Sequence, residues 1–338
     1  MKLSRSRKGL RVAAATVAAV ALAVSGCSSS GGAQETSSSQ QAGGSGGAVN
    51  QGPKAYTIAV ITHETPGDTF WDKIKAGVNS AASNHGITIK YSNDPTAAGQ
   101  ATLIQNAVDS KVDAIATTLV TPDALAPAVK AATDAGIPVV GFNSGIDQYK
   151  DLGALMYFGS DEALAGQAAG ERATEAGAKK VLCIIQAEGS VALETRCAGV
   201  AQGAPGTENL QVNGADLSSV TSTITAKLQQ DPTIDYVITL GAPIALAAIQ
   251  AKDGAGSSAK VGTFDLNADA AQAIKDGNLE FSIDQQPYLQ GYEAVDSLWL
   301  YLTNRNDLGG GKAVLTGPSF VDKTNIEAIS SYADAGTR

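Results

Sequence analysis

Ala135-Gly-Ile-Pro-Val-Val-Gly-Phe-Asn143 and Ala259-Lys-Val-Gly-Thr-Phe-Asp265 are two similar stretches that indicate how the chain folds. Each runs through a short apolar segment and ends in Phe followed by Asn or Asp, where the next loop begins. In open α/β sheets, ligands bind in the crevice beyond the carboxyl ends of the strands. We therefore expect two similar sheets that present Asn143 and Asp265 to one shared cleft.

The chain from residue 56 onward repeats this alternation of strand and helix patterns. Ten short β-branched or apolar runs are predicted strands: 56–62, 87–91, 114–118, 138–142, 157–158, 181–185, 210–212, 236–240, 261–264 and 279–283. Ala-rich helical patterns separate most of them, at 71–85, 98–110, 124–135, 163–176 and 243–253. This order is typical of parallel sheets covered on both faces. With 338 residues, 43% of them hydrophobic, the chain fits an α/β fold of two doubly wound lobes better than one.

The first 26 residues have the pattern of an export signal. Five basic residues precede the apolar run 12–24, which is too short to span a bilayer. Val24-Ser-Gly-Cys27 resembles a bacterial lipobox, in which cleavage leaves the Cys lipid-modified at the new N-terminus. Residues 28–52 are mostly Ser, Gly, Gln and Ala, the composition of a flexible tether. We expect an extracytoplasmic protein anchored to the outer face of the cell membrane by a lipidated Cys27.

Charge and cysteines limit the partners further. The net charge is −9, and the predicted signal removes five cations and no acid, so nucleic acid and anionic lipid are not expected partners. Once Cys27 is assigned to lipid, Cys183 and Cys197 remain, an even pair that indicates a disulfide outside the cytoplasm. Two buried free thiols are the alternative. The sequence has no CxxC and no His/Cys cluster, so we predict no metal site and no cofactor.

Motifs for catalysis are incomplete. Gly141-Phe-Asn-Ser-Gly145 has its Ser one position too late for a nucleophile elbow. Gly309-Gly-Gly-Lys312 is followed by Ala313, where a phosphate loop needs Ser or Thr. His63 in the first loop has no positioned carboxylate in the sequence pattern, which makes it a weak catalytic candidate. We therefore predict that the protein is not an enzyme.

Six segments in order resemble the type I periplasmic sugar-binding proteins of ABC importers, the group of ribose- and galactose-binding proteins. The segments are Thr69-Phe-Trp-Asp72, residues 135–143, Phe158-Gly-Ser-Asp161, residues 189–196, residues 261–265 and Ile283-Asp-Gln-Gln-Pro287. The resemblance covers residues 55–328. It implies two lobes joined by a three-crossover hinge that closes on a sugar, with crossovers near 158–159, 285–287 and 316.

The resemblance also implies a ligand set. Phe70 and Trp71 match aromatics that lie against the sugar's apolar face. Asn143, Asp265 and Gln285 match polar positions, and Thr69 with Asp72 suggests a capping box at the helix start. The complete predicted set is Asp68, Phe70, Trp71, Asn143, Asp161, Glu194, Arg196, Asp265 and Gln285.

Departures from the ribose-binding pattern bear on the ligand. Ser144 and Glu194 stand where ribose binders have arginines, with Arg196 two positions on, and Gly241-Ala242 replace Asn-Asp. The resemblance therefore favours a larger ligand near Gly241 or a polyol over ribose. A disulfide between Cys183 and Cys197 would fix the segment of the ligand site that carries Glu194 and Arg196. Because the predicted set is acidic, a neutral polyhydroxylated ligand is preferred to an anion, and a polyamine is less favoured.

The sequence therefore predicts a monomeric, lipid-anchored solute-binding protein that delivers a neutral sugar or sugar alcohol to ABC permease subunits. A sugar-sensing receptor component of the same fold is the alternative, and a secreted glycosidase is a less favoured one. The predicted division is 1–26 signal peptide, 27–54 lipidated Cys and tether, 55–158 plus 287–315 N-terminal lobe, and 159–286 plus 316–330 C-terminal lobe.

Overall fold

A computed structural model describes residues 55–338 of the chain, and these form two α/β lobes. The predicted signal peptide, Cys27 and most of the tether lie outside the described residues. Within residues 55–338, none of the helices combines the length and the apolar character needed to cross a membrane.

The elements follow one another in strict alternation along most of the chain. The strands are β1 (Thr57–Thr62), β2 (Thr88–Asn93), β3 (Ala114–Thr118), β4 (Val139–Phe142), β5 (Met156–Ser160), β6 (Val181–Ile185), β7 (Glu208–Gln211), β8 (Tyr236–Thr239), β9 (Lys260–Phe264), β10 (Phe281–Asp284), β11 (Val314–Gly317) and β12 (Ser319–Asp322). The helices are α1 (Phe70–His85), α2 (Ala97–Asp109), α3 (Pro122–Asp134), α4 (Glu162–Glu175), α5 (Val191–Gly203), α6 (Leu217–Gln230), α7 (Ala242–Ala255), α8 (Ala268–Asp276), α9 (Pro287–Asn304) and α10 (Ile326–Asp334).

Each lobe is built on a six-stranded sheet. The order in lobe 1 is β11-β5-β4-β3-β1-β2, and that in lobe 2 is β12-β10-β9-β8-β6-β7. All pairs are parallel except β10 with β12. Every residue of β3, β4, β6 and β8 is buried, as expected for inner strands with helices on both faces. The prediction of two doubly wound lobes is confirmed.

Two strands, β11 and β12, were not predicted from the sequence. Each has only four residues, and they are separated by Pro318 alone. β11 completes the sheet of lobe 1, and β12 completes that of lobe 2 as an antiparallel edge. A run this short on either side of a proline has no periodic pattern of its own, so tertiary pairing decides its structure.

The chain passes between the lobes three times. It crosses between β5 and α4, between β10 and α9, and at Pro318 between β11 and β12. The crossing strands are tied together by side chains: Gln286 Nε2 donates to Thr316 O at 2.6 Å, and Thr316 Oγ1 donates to Gln285 O at 2.7 Å. These three adjacent crossovers form the hinge.

A disulfide joins Cys183 in β6 to Cys197 in α5, as we expected. Both residues are fully buried, so α5 is attached covalently to the core of lobe 2.

Candidate functional site

The carboxyl ends of the two sheets face each other, and Asn143 and Asp265 follow β4 and β9 at this edge. Both have left-handed backbone conformations, with φ of 66° and 64°, which Asn and Asp tolerate better than most residues. Their backbone N–H groups donate to the neighbouring strand, at Phe158 O and Ile283 O, both at 2.9 Å. The two positions are therefore structural equivalents in the two lobes.

Gln285 of the hinge connects these equivalents through its side-chain amide. Its Nε2 donates to Asp265 Oδ1 at 2.7 Å, and its Oε1 accepts from Asn143 Nδ2 at 3.2 Å. Gln290 of α9, which the sequence analysis missed, accepts a second bond from Asn143 Nδ2 at 3.2 Å. The structure thus brings Asn143, Asp265 and Gln285 together in one buried network, which we call the amide cluster.

Asp265 has an unusual environment for a carboxylate. Burial raises its pKa to about 7, while the charge of Arg196 and the bond from Gln285 act in the opposite direction. Asp68 and Asp284 add to the rise. At neutral pH this group is therefore balanced between a hydrogen-bond acceptor and a carboxylic acid that can also donate.

Arg196 is buried, and most of its hydrogen-bonding capacity is taken by the protein. Its Nε and Nη2 donate to the two carboxylate oxygens of Glu162, and Nη1 donates to Leu240 O at 3.4 Å. Its guanidinium carbon lies 4.8 Å from the centre of the Phe264 ring. Because Glu162 is also buried, this pair is a fixed support behind Asp265.

Close packing of α4 and α5 makes this pair possible. A Cβ on Gly166 would come within 2.1 Å of Arg196 O, and one on Gly199 within 2.5 Å of Ala163 O. Glycine at both positions lets the two backbones approach until Glu162 and Arg196 meet. Glu162 was not predicted as a site residue, although it lies only three residues after the predicted crossover at 158–159.

The aromatic residues of the first loop occupy different depths. Trp71 is only 3% exposed and packs in the core of lobe 1. Phe70 is partly buried and lies edge-to-face against Trp71, with ring centres 5.1 Å apart. Trp71 thus supports Phe70 from behind, because the start of α1 turns the first aromatic outward and the second inward.

His63 completes this aromatic group. Its ring lies edge-on to Trp71 at 4.8 Å, and Nδ1 is 2.9 Å from Thr118 Oγ1. Burial lowers the pKa of His63 to about 4, so the ring is neutral at pH 7.

The expected capping box at α1 is absent. Thr69 has helical backbone angles and its side chain makes no capping bond. Instead, Asp68 Oδ1 accepts from Phe70 N at 3.0 Å, and burial raises the pKa of Asp68. The capping function has therefore moved one residue toward the N-terminus.

Two further predicted site residues, Asp161 and Glu194, also lie outside the amide cluster. Asp161 is the N-cap of α4, where Oδ1 accepts from Leu164 N at 2.9 Å. Glu194 is exposed on α5, because the helix turns Arg196, two residues later, inward.

Several buried polar atoms near the ends of the sheets lack partners among residues 55–338. They include Ser144 Oγ and Thr121 Oγ1 in lobe 1 and Gln186 Oε1 in lobe 2. Gln186 also fills space beside Gly241, since a Cβ there would lie 3.1 Å from Gln186 Nε2. Buried polar groups are usually satisfied, so such atoms call for a partner from outside the chain. In the part of the chain that the structure describes, no three or more His, Cys, Asp or Glu side chains are gathered to hold a metal ion.

Lys73 is a further residue that the sequence analysis missed. It lies in the first turn of α1 and is only 4% exposed. Burial lowers the pKa of Lys73, while the carboxylates of Asp265, Asp68 and Asp284 act in the opposite direction. On a helix, positions 71 and 73 do not share a face, and only the packed structure shows that Lys73 turns toward lobe 2.

Comparison with known proteins gives consistent results. A model of the family described as "Periplasmic binding protein domain" matches residues 58–306. A carbohydrate transporter from Acidothermus cellulolyticus 11B, whose crystal structure is a complex with myo-inositol, is 60% identical; the match covers 84% of this chain and 100% of that chain, with a TM-score of 0.83.

Two curated proteins are similar at lower identity. The ribose import binding protein RbsB of Bacillus subtilis is 27% identical over 254 residues, 72% of this chain and 81% of that protein. The xylose/arabinose-binding protein XylF of Sulfolobus acidocaldarius is 27% identical over 242 residues, 66% of this chain. This match spans 60% of the length of the Sulfolobus protein.

Proposed function

Because this chain belongs to the periplasmic binding protein family of sugar-binding ABC transporter proteins, we propose that it captures a cyclic polyol of the myo-inositol type in its interlobe cleft. In this proposal it then delivers the polyol to a membrane permease. The protein is a binding protein and not an enzyme.

One observation carries the choice of ligand. The carbohydrate transporter from Acidothermus cellulolyticus, at 60% identity over 84% of this chain, holds myo-inositol in its crystal structure. Ser144 stands where ribose binders have an arginine that binds the ring oxygen of the sugar. This replacement is consistent with a cyclic polyol, which has no ring oxygen for an arginine to bind.

The polar groups of the cleft suit a neutral ring with many hydroxyls. A hydroxyl both donates and accepts, so it can satisfy the unpartnered Ser144 Oγ, Thr121 Oγ1 and Gln186 Oε1. Asp265 and Asn143 would take adjacent hydroxyls, and bonds to a charged group contribute about 1.5–3 kcal/mol each. Phe70 would cover the apolar C–H face of the ring.

The arrangement of the lobes supports capture by closure. Val191 N at the start of α5 in lobe 2 donates to Val120 O in lobe 1 at 3.4 Å. A ligand bonded to both lobes favours this closed arrangement by its differential affinity for it. A permease that recognises the closed form would then receive only loaded protein.

The proposed membrane anchor rests on the sequence pattern alone. Val24-Ser-Gly-Cys27 would supply a lipid-modified Cys27, with residues 28–52 as a tether. Mass spectrometry of the membrane fraction tests this, since a Cys27→Ala variant should lose the lipid mass and leave the membrane.

Calorimetry tests which ligand the protein binds. Residues 55–338 lie in one compact unit, so the segment Gln51–Arg338 is titrated with myo-inositol, ribose, xylose, glucose and spermidine. We expect binding of myo-inositol and at least about tenfold weaker binding of the others, a difference of about 1.4 kcal/mol. Ser144→Ala should weaken myo-inositol binding about fivefold through one lost hydrogen bond, while the exposed Ser218→Ala on α6 should not. Binding of spermidine or an aldopentose in preference to myo-inositol would overturn the proposal.

A further inference from the structure

A crevice of about 260 Å³ lies between the lobes, outside the amide cluster. The start of α1 forms its lobe 1 wall, and the start of α8 forms its lobe 2 wall. Its lining includes Thr69, Asp72, Lys73, Asn267, Ala268 and Asp269, with the end of α10 alongside. We call this space the outer crevice. Because both lobes supply its walls, it has this shape only when the lobes are closed.

The outer crevice adjoins residues of the candidate site at two points. Thr69 lies between Asp68 and Phe70 in the sequence, and Asn267 is two residues from Asp265. Consecutive Cα atoms are only 3.8 Å apart. The charge of Lys73 is affected by Asp265 and Asp68, so its ammonium is close to both spaces. A ring held at Asp265 therefore has the outer crevice within reach of a single substituent.

Lys73 gives this space an unsatisfied donor. An ammonium has three N–H donors, but among residues 55–338 its Nζ has one hydrogen bond, a long one of 3.4 Å to Thr69 O. Burying an ammonium without acceptors is costly. Since Lys73 lines the outer crevice and is 96% buried, a ligand with oxygen acceptors there would remove this cost.

The charges around Lys73 select a neutral ligand group. Asp72 and Asp269 lie in the first turns of α1 and α8 and contribute two carboxylates to the outer crevice. A phosphate or sulfate bound to Lys73 would face both of them. A hydroxylated ring can accept from Lys73 and donate to the carboxylates at the same time.

The volume limits the size of this group. Pockets for drug-sized molecules begin at about 300 Å³, so the outer crevice suits one sugar ring and not an oligosaccharide. Ala268 and the nearby Ala333 and Gly336 keep the space open, because none of them carries a side chain larger than a methyl group.

On the premise of the proposed function, we infer that the ligands include cyclic polyols carrying one neutral glycosyl group. The polyol ring binds at the amide cluster, and the glycosyl ring lies in the outer crevice, where Lys73 donates to its hydroxyls.

Calorimetry on Gln51–Arg338 with two probes tests this inference: myo-inositol and α-D-galactosyl-myo-inositol. We expect the galactosyl compound to bind at least as tightly as myo-inositol. Ala268→Phe fills the outer crevice from an exposed position at the start of α8, and should weaken the galactosyl compound at least tenfold and myo-inositol less than twofold. Ala98→Phe, an exposed alanine in the first turn of α2, is the matched control and should change neither. Lys73→Met should weaken the galactosyl compound more than myo-inositol.

The outcomes separate this inference from the proposed function. If myo-inositol binds while the galactosyl compound binds over a hundredfold more weakly, the inference fails and the proposed function stands. Equal loss of both ligands in Ala268→Phe also overturns it. Tighter binding of myo-inositol 1-phosphate than of the galactosyl compound, abolished by Ala268→Phe, would replace the glycosyl group by an anionic one. Binding of neither polyol overturns both proposals.

Discussion

Asp265 combines three features that rarely occur together in one residue. It has a positive φ, it is almost fully buried, and burial raises its pKa to about 7. Gln285 donates a hydrogen bond to its side chain, and this bond and the charge of Arg196 oppose the rise in the pKa. Strained backbone conformations are retained where the surrounding structure determines them, and they cluster at functional sites.

Replacing this side chain should damage ligand binding. For Asp265→Ala we expect a loss of at least about 2 kcal/mol in the free energy of binding, because hydrogen bonds to a charged acceptor are lost and donors are left unmet. Calorimetry with myo-inositol measures it. The exposed Asp253→Ala on α7 is the matched control, and full affinity in Asp265→Ala would remove this residue from the site.

The raised pKa of Asp265 also predicts a pH dependence of stability. Between about pH 4 and 7 the folded protein keeps a proton on Asp265 that the unfolded chain has released, so the wild type loses stability as pH rises. The Asp265→Asn variant has no titrating group at this position. Its free energy of unfolding relative to wild type should therefore rise by about 2–3 kcal/mol from pH 5 to pH 8. Urea unfolding at the two pH values checks this, and a pH-independent difference would contradict it.

At the scale of elements, α5 links the lobe 2 core to the candidate site. Cys197 joins it to β6, and Arg196, the preceding residue, pairs with Glu162 on α4. Gly166 and Gly199 set the close spacing of the two helices. The position of the pair behind Asp265 is therefore determined by helix packing together with one covalent bond.

Removing the disulfide should destabilise this element. The two cysteines are 14 positions apart, and closing a loop of this length is worth about 3 kcal/mol on the chain-entropy model. We expect Cys183→Ala/Cys197→Ala to lose a comparable free energy of unfolding, measured with urea. Alkylation of the unfolded, unreduced segment Gln51–Arg338, which lacks Cys27, should leave its mass unchanged; two added alkyl groups would show that the thiols are free.

At the scale of the whole molecule, the three crossovers make closure a movement of two nearly rigid bodies. Each lobe has its own sheet and its own buried core. Across the cleft, Val191 N of lobe 2 donates to Val120 O of lobe 1. Ligand contacts to both lobes therefore have a large effect on the closed population.

A cross-linking experiment measures this population. In Gln51–Arg338 carrying Val120→Cys and Val191→Cys, a disulfide across the cleft should form faster with myo-inositol than without it. We expect an increase of at least about fivefold, since ligand in excess shifts the equilibrium toward the closed form. A variant with Thr102→Cys in place of Val120→Cys, on the exposed face of α2, should not respond. An equal rate with and without ligand would show that the ligand does not favour closure.

Much of the fold follows from the sequence because its signals are local. Ten of the twelve strands in residues 55–338 were predicted, since each is an apolar run between turn residues and helical patterns. The Phe-Asx ends of β4 and β9 indicated the repeated lobe for the same reason. β11 and β12 have no such pattern, because they are four residues long and flank Pro318.

The candidate site depended more on tertiary structure. Asn143 and Asp265 could be placed at strand ends from the sequence, because such a position depends on neighbouring residues. The packed fold was needed to show that Glu162 pairs with Arg196, that Glu194 is exposed, and that Lys73 faces the other lobe. The physical reason is that the direction of a side chain on a helix depends on which neighbour the helix packs against, and those neighbours lie far away in the chain.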